Sequence, residues 1–540
     1  MSAVAPAAGT RTRTVRGSGP FTGTGTLLRL ALRRDRLTLP VWVLVIGAMV
    51  VSIPGTLADL YDTSAERAEF ARSIAANSSL RAMYGPSFGD SIGALTAMRV
   101  GVFAALFAGI MSLLLVVRHT RDEEESGRQE LVSSTVVGRR APLTAALLTA
   151  AVANAALALL ITAGLRGEGG AGALALGLGI GGTGLVFAAT AAIAAQLTEN
   201  GRLAKGLTAG VLGAAFVLRA AGDSGTADGS SPLTWLSPLG WTENLRAFAG
   251  ERWWVLALLG AAVLVQGAVA YRLADRRDLG MSFLPSRPGP ARGELRTVGA
   301  LAWRLQRGSL CGWGAGFLVS GVAFGGITAG AGDLVGNNER TREIIQRMGG
   351  ASAITEAFLG TMAGIFGLVA GLYVVSSVLR LHGEETSGRA EPLLAAPVSR
   401  TGWAAGHLLV AFGGSALLLL LSGAGLALGY GKDPGQALAA SLVQVPAVWA
   451  VGGLAVLLTG ASPRWAAGSW AVAGAVLLIG WLGPALELPS WVLDLSPFGH
   501  LPKLPGEELR WAPVLVLTAL AAGLVAAGLA ALRRRDLTSS

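Results

Sequence analysis

Residues 123–130 read EEESGRQE, and residues 384–391 read EETSGRAE. The copies stand 261 residues apart in a chain of 540, so the motif recurs at close to half the length. The likeness continues beyond it. Val137, Gly138 and Arg139 align with Val398, Ser399 and Arg400, and Arg33, Arg36 and Trp42 align with Arg304, Arg307 and Trp313. Residues 236–240 (LSPLG) align with 495–499 (LSPFG), and 276–279 (RRDL) with 534–537 (RRDL). The chain therefore reads as an internal duplication whose halves differ by a few loop insertions.

Each half is a membrane body. Hydrophobic residues make up 52 % of the chain and charged residues only 14 %, where soluble domains carry about 25 % charge. The 77 glycines suit close helix packing in lipid. A helix needs about 20 apolar residues to cross the hydrocarbon core. Twelve stretches qualify: 39–57, 97–118, 141–165, 171–196, 203–220, 253–272, 312–330, 356–380, 404–430, 436–459, 464–484 and 511–532. The expected fold is an all-α polytopic membrane protein with six spans per half. Six is even, so both halves face the same way, related by a pseudo-two-fold axis along the membrane normal. In the fifth span Lys205 and Arg219 lie near opposite ends, where both can snorkel to the interfaces.

Orientation follows from basic residues in the loops. With the N-terminus inside, roughly 29 of the 43 Lys and Arg fall on the cytoplasmic side, which puts both termini there. The net charge of +10 is read as topology rather than as a nucleic-acid footprint. Residues 1–26 read as a disordered cytoplasmic tail. The first half then covers 27–278, a Pro-containing linker 279–299, and the second half 300–537. Each half opens on a basic, partly apolar stretch, 27–38 and 298–310, expected to lie on the inner membrane surface as an elbow helix. Outside, the loops 58–96 and 331–355 carry amphipathic patterns, Ala65 to Met83 and Arg340 to Met348. The LSPLG and LSPFG copies suit re-entrant turns, which need protein or a cavity around them.

Several chemistries lack their residues. Cys311 is the single cysteine, and the four histidines, His119, His382, His407 and His500, form no metal-binding spacing. Grouped catalytic polar residues are missing too, so an enzyme is not expected. No G-x-x-x-x-G-K-[ST] sequence supplies a phosphate-cradling loop.

The duplicated motifs fall in cytoplasmic loops 119–140 and 381–403, between the second and third spans of each half. Such loops favour Lys and Arg, yet these carry Asp122, Glu123, Glu124, Glu125 and Glu130, and Glu384, Glu385 and Glu391. Glu124 and Arg128, like Glu385 and Arg389, have the spacing and order of a favourable i,i+4 helix pair. Gly127 and Gly388 interrupt the helix, so each loop bends there. A short helix should follow, ending near Val137 or at Pro397, with Arg139 and Arg400 at headgroup level. An acidic excess on this side calls for a basic protein partner.

The Glu-Glu-x-Ser-Gly-Arg-x-Glu pattern, followed in the second copy by Pro397 to Arg400 (PVSR), resembles the cytoplasmic loop of ABC type-2 permeases. The fused twelve-span form resembles actinobacterial antibiotic-export permeases of the tetronasin-exporter kind. That resemblance implies coupling helices at Glu123, Glu124, Gly127, Arg128 and Glu130, and at Glu384, Glu385, Gly388, Arg389 and Glu391. A separate ATPase, carrying ATP and Mg, would dock there in two copies, and this chain would hold no cofactor or metal of its own. The resemblance also implies an ABC exporter (type V-like) membrane domain, with a substrate path between the second and fifth spans of each half. Candidates on that path are Met111, Ser112, Met362, Tyr373, Ser376, Trp470 and Trp481. Spans nearly free of mid-depth charge favour a hydrophobic or amphipathic small molecule, moved out across the plasma membrane. The rival is a proton- or sodium-coupled secondary transporter, which needs a membrane-embedded carboxylate. None stands mid-span in this reading; Glu356 and Glu487 lie near the outer boundary.

Overall fold

A long apolar run in lipid has one economical backbone form, a helix that satisfies every N–H and C=O within the segment. The computed structural model describes residues 19–134, 136–278, 281–284, 297–331, 350–482 and 489–536. Among them, eleven helices are long and apolar enough to cross a membrane. Six lie in the first half: Thr38–Leu60, Ile92–Glu125, Ala141–Gly164, Gly170–Leu197, Gly201–Gly225 and Trp254–Arg276. Five lie in the second: Val298–Thr328, Thr355–Thr386, Arg400–Tyr430, Pro434–Ala461 and Trp511–Arg534. The twelfth expected span, 464–484, is represented by the helix Ala466–Leu482. Its 17 residues span only about 25 Å, which is why the count is eleven rather than twelve. Spans are numbered below in chain order, with Ala466–Leu482 as the eleventh.

The chain divides into two compact units, Met1–Pro288 and Gly289–Ser540. In the first, the fourth span packs against the second, third, fifth and sixth. Its small residues allow this: a Cβ at Gly177 would lie 2.6 Å from the carbonyl oxygen of Ala158, and one at Gly184 2.0 Å from Oδ1 of Asn154. Asn154 in turn donates to Oγ of Ser112 at 2.8 Å. In the second unit the seventh and ninth spans meet along Gly321, Gly325, Gly425 and Gly429, and the tenth and last meet where Gly460 faces Gly528. Backbone-to-backbone packing of this kind is how helices associate where lipid removes the hydrophobic drive.

The two elbows differ. The helix Thr24–Arg34 is separate from the first span, which begins at Thr38. Asp35, wholly buried in the turn, pairs with Arg118 at 2.7 Å and with His119. In the second half no separate elbow forms. Val298–Ala331 is one unbroken helix of 34 residues, which corrects the expected surface helix at 298–310. Gln306 stands where Asp35 does. A neutral amide is satisfied inside the bundle by Ser377 and His407, so nothing requires the chain to turn.

On the opposite side, Thr63 and Glu66 form a capping box that starts the helix Ser64–Ala76, and Ser78–Tyr84 follows after a break at Asn77. The corresponding stretch of the second half, including Arg340 to Met348, lies outside the described residues, as do most of the linker and residues 1–18. The LSPLG copy begins a short helix, Pro238–Asn244, whose Leu239, Thr242 and Asn244 are buried among the second, fourth and fifth spans. Its counterpart is a single 3₁₀ turn, Pro497–His500.

Candidate functional site: two latched hairpins

Each acidic motif folds as a bent hairpin. In the first, the helix Arg121–Glu125 ends at Ser126, Gly127 takes φ +70°, and Arg128–Ser133 forms a second short helix. In the second, the eighth span runs on to Thr386, Gly388 takes φ +71°, and Glu391–Leu394 follows. The left-handed glycine redirects the chain, so the expected i,i+4 pairs do not form. Arg128 instead reaches back across the bend to Glu123, with Nε donating at 2.8 Å. Arg389 does the same to Glu384 at 2.9 Å. The follow-on helices are also shorter than expected, ending at Ser133 and Leu394.

The second glutamate of each motif faces inward and is gripped by the duplicated RRDL segment. Arg277 donates both terminal nitrogens to Glu124, at 2.6 and 2.9 Å. Arg535 does so to Glu385, at 2.6 Å twice. Arg139 and Arg400 complete the arrangement: Arg139 donates to the carbonyl of Arg277 at 2.8 Å, and Arg400 to that of Arg535 at 2.7 Å. Three motifs that repeat separately in the sequence thus meet at one latch per half. It ties the hairpin to the start of the third span and the end of the last. Fork-to-fork Arg–carboxylate pairs are the strong, orienting kind, and Glu385 and Arg535 are only 2 % and 11 % exposed.

The first hairpin has further ties. Glu123 also pairs with Arg34 of the elbow, Asp122 with Lys205 at 2.8 Å, and Glu125 accepts from the backbone N–H of Gly201 at 3.1 Å. Buried Arg121 spans from Glu124 to the carbonyls of Ala195 and Met281. Gly383, Thr386 and Leu305 stand at the positions of Asp122, Glu125 and Arg34, so the second hairpin cannot make these contacts. Most of the carboxylates are therefore consumed within each half. The residues left outermost are Ser126, Glu130 and Leu131 in one hairpin, and Ser387 and Glu391 in the other, all exposed.

The expected path residues are not gathered in one place. Met111 and Ser112 are wholly buried in the first unit. Tyr373 is buried in the second against Trp313, and Met362 packs on the same core. Ser376 and Trp470 are exposed, and the side chain of Trp481 lies outside the described residues. An open groove of about 590 Å³ does run along the seventh and eighth spans, walled by Trp313, Phe317, Phe324 and Phe366 and floored by Gly308, Gly312 and Gly316.

Charge inside the fifth span was not foreseen. Arg219 does not snorkel. It is wholly buried, pairs with Asp223 at 3.4 Å and Glu243 at 3.2 Å, and lies over the ring of Phe216. Thr234 donates to Asp223 at 2.7 Å, and Arg81 donates to its backbone carbonyl at 3.0 Å. Asp223 and Glu243 are the buried carboxylates that the sequence reading did not find. A span-end aspartate four residues after an arginine was the available signal.

Duplicated halves, polytopic helices and latched loops together define a membrane permease. The chain belongs to the multidrug efflux permease family: the family profile "Multidrug efflux system permease Rv1217c, C-terminal domain" matches residues 25–272 and 295–533. The chain is 43 % identical over 533 residues to the "Multidrug efflux system permease protein Rv1217c" of Mycobacterium tuberculosis (strain ATCC 25618 / H37Rv), covering 96 % of both chains. These matches carry permease and efflux, and do not extend to the tetronasin type.

Proposed function

We propose that this chain is the permease subunit of an ATP-driven exporter, moving a hydrophobic or amphipathic small molecule out of the cell. It sits in the plasma membrane with both termini cytoplasmic. A separate ATPase binds ATP and Mg and docks, in two copies, on the two hairpins. The observation that carries this reading is the latch. Each hairpin projects an exposed acidic end while its root is bolted to the end of its half's last span through Glu124–Arg277 or Glu385–Arg535. A push on the tip would therefore be delivered to the membrane helices rather than absorbed by a loose loop, which is the two-state coupling that transport requires. The aromatic groove on the second unit suits apolar cargo. The test is co-purification of the chain with its neighbouring gene products, followed by charge reversal at Glu130 and Glu391. Loss of an associated ATPase and of export is expected. A complex and activity that survive the reversal would sink the docking role.

A second reading is favoured by one observation. Asp223 and Glu243 are the embedded carboxylates that a proton-coupled transporter needs. Collapse of the proton gradient at constant ATP separates the two, stopping export only in the second case.

A further inference from the structure

Beneath the first hairpin lies a cavity of about 350 Å³. Gln129, Arg139, Pro142, Gln196, Ala274 and Arg277 contribute to its wall. Two of its polar groups are buried without a protein partner: Oε1 of Gln196, a residue 3 % exposed, and Nε of Arg277, whose side chain is 7 % exposed. Amide ends are interchangeable in assignment, so Gln196 offers the cavity either an acceptor or a donor; Arg277 offers a donor.

The second half shows what this place looks like when it is closed. Thr120, Gln129 and Pro142 line the cavity, and the aligned residues 261 positions on are Leu381, Ala390 and Trp403. Ala274, 258 positions before, aligns with Leu532. Those four residues form one buried apolar cluster, with the Trp403 indole only 1 % exposed. The duplication thus kept the latch in both halves, filled the space behind it in one, and left it polar and open in the other.

Charge and position indicate the occupant. Arg121, Arg139 and Arg277 surround this corner against Glu124 and Asp278, leaving one positive charge in excess. Pro142 and Leu143, in the first turn of the 24-residue helix Ala141–Gly164, also face it, so the positive end of that helix is directed there. The cavity lies where the third span begins and the sixth ends, which is headgroup depth.

We propose that the cavity beneath the first hairpin binds a phosphate ester, supplied by the headgroup of a membrane phospholipid or by a soluble phosphate compound. Arg139 and Nε of Arg277 are its donors, with Gln196 at the back. The full chain in detergent is probed by native mass spectrometry with dioleoylphosphatidylglycerol, with dioleoylglycerol lacking the phosphate, and with inorganic phosphate. The variant Gln196→Leu/Ala274→Leu fills the cavity with apolar side chains of the kind that close it in the second half. Arg139→Gln removes a charge-assisted hydrogen bond at an exposed position, worth about tenfold in affinity, and covers the case in which the filled variant folds poorly. A phospholipid adduct that is weakened in both variants and that inorganic phosphate does not displace supports the lipid source. Inorganic phosphate bound by the wild type and lost in the variants supports the soluble one. Equal retention of dioleoylglycerol, or binding unchanged in Arg139→Gln, overturns the proposal.

Discussion

The guanidinium of Arg535 forks onto the carboxylate of Glu385, 150 residues earlier, with both nitrogen–oxygen distances at 2.6 Å. Arg277 holds Glu124 in the same way, so this relationship survived duplication where much around it changed. Removing one member of a buried, hydrogen-bonded pair leaves the other desolvated and alone, at a cost of about 3–5 kcal/mol. Arg535→Ala should therefore lower the thermal stability of the purified permease clearly. The double variant with Glu385→Ala should recover part of the loss. A single variant that melts like wild type would show that the latch is open in solution.

The two hairpin glycines invite a smaller test. Gly127 and Gly388 adopt φ near +70°, and no atom lies within 4 Å of a Cβ built on either. Space is therefore no obstacle, and only backbone strain opposes a side chain, at about 1–2 kcal/mol for an ordinary L-residue. Gly388→Val should speed amide hydrogen exchange across 384–394, while Gly388→Asn, which tolerates this region, should change it little. Equal effects from the two substitutions would mean that the bend is not left-handed in solution.

Much of this architecture was legible in the sequence because it is periodic or repeated. Apolar runs announced the spans, and the doubled motifs announced the halves and the bends at Gly127 and Gly388. What was hidden is pairing across distance. Nothing local to EEESGRQE says that Glu124 belongs to Arg277 rather than to Arg128, since helical spacing favours Arg128 and only the left-handed bend undoes it. The missing second elbow turns on one residue: Gln306 replaces Asp35, and an amide can stay inside a helix bundle where a carboxylate seeks Arg118 and His119. Asp223 was overlooked because proximity to a span end suggested solvent, whereas the helix Pro238–Asn244 packs beside that end and buries it.

Glycine contacts in the second unit give a packing prediction. A Cβ at Gly528 would sit 2.7 Å from the backbone of Val456, and one at Gly460 2.2 Å from the carbonyl of Gly528. Neither helix can yield a few ångströms without losing its neighbours, so overpacking of about 1–3 kcal/mol is a lower bound. Gly528→Leu should cut the yield of folded permease sharply. Gly523→Leu, five residues earlier with open space around its Cβ, should not. Similar yields for the two would contradict the close approach of the tenth and last spans.

Glu243 sets the pH behaviour of the first unit. Burial holds its carboxyl well above the usual value of 4.5, against the pull of Arg219, and nearby Asp223 raises it further. A carboxyl raised on folding binds its proton more tightly in the folded state. Its contribution is therefore fully present below the unfolded value and drains away as pH rises through the higher folded value. The melting temperature of the permease should fall as pH climbs from near 4.5, with Arg219 and Arg81 limiting the drop by compensating the charge that forms. Glu243→Gln keeps the shape and cannot ionise, so it should flatten the decline and leave the low-pH stability nearly unchanged. Melting curves across pH for the two proteins decide it: parallel slopes would assign the titration elsewhere, and a Gln variant destabilised at low pH would show that the Glu243 carboxyl does more there than hold a proton.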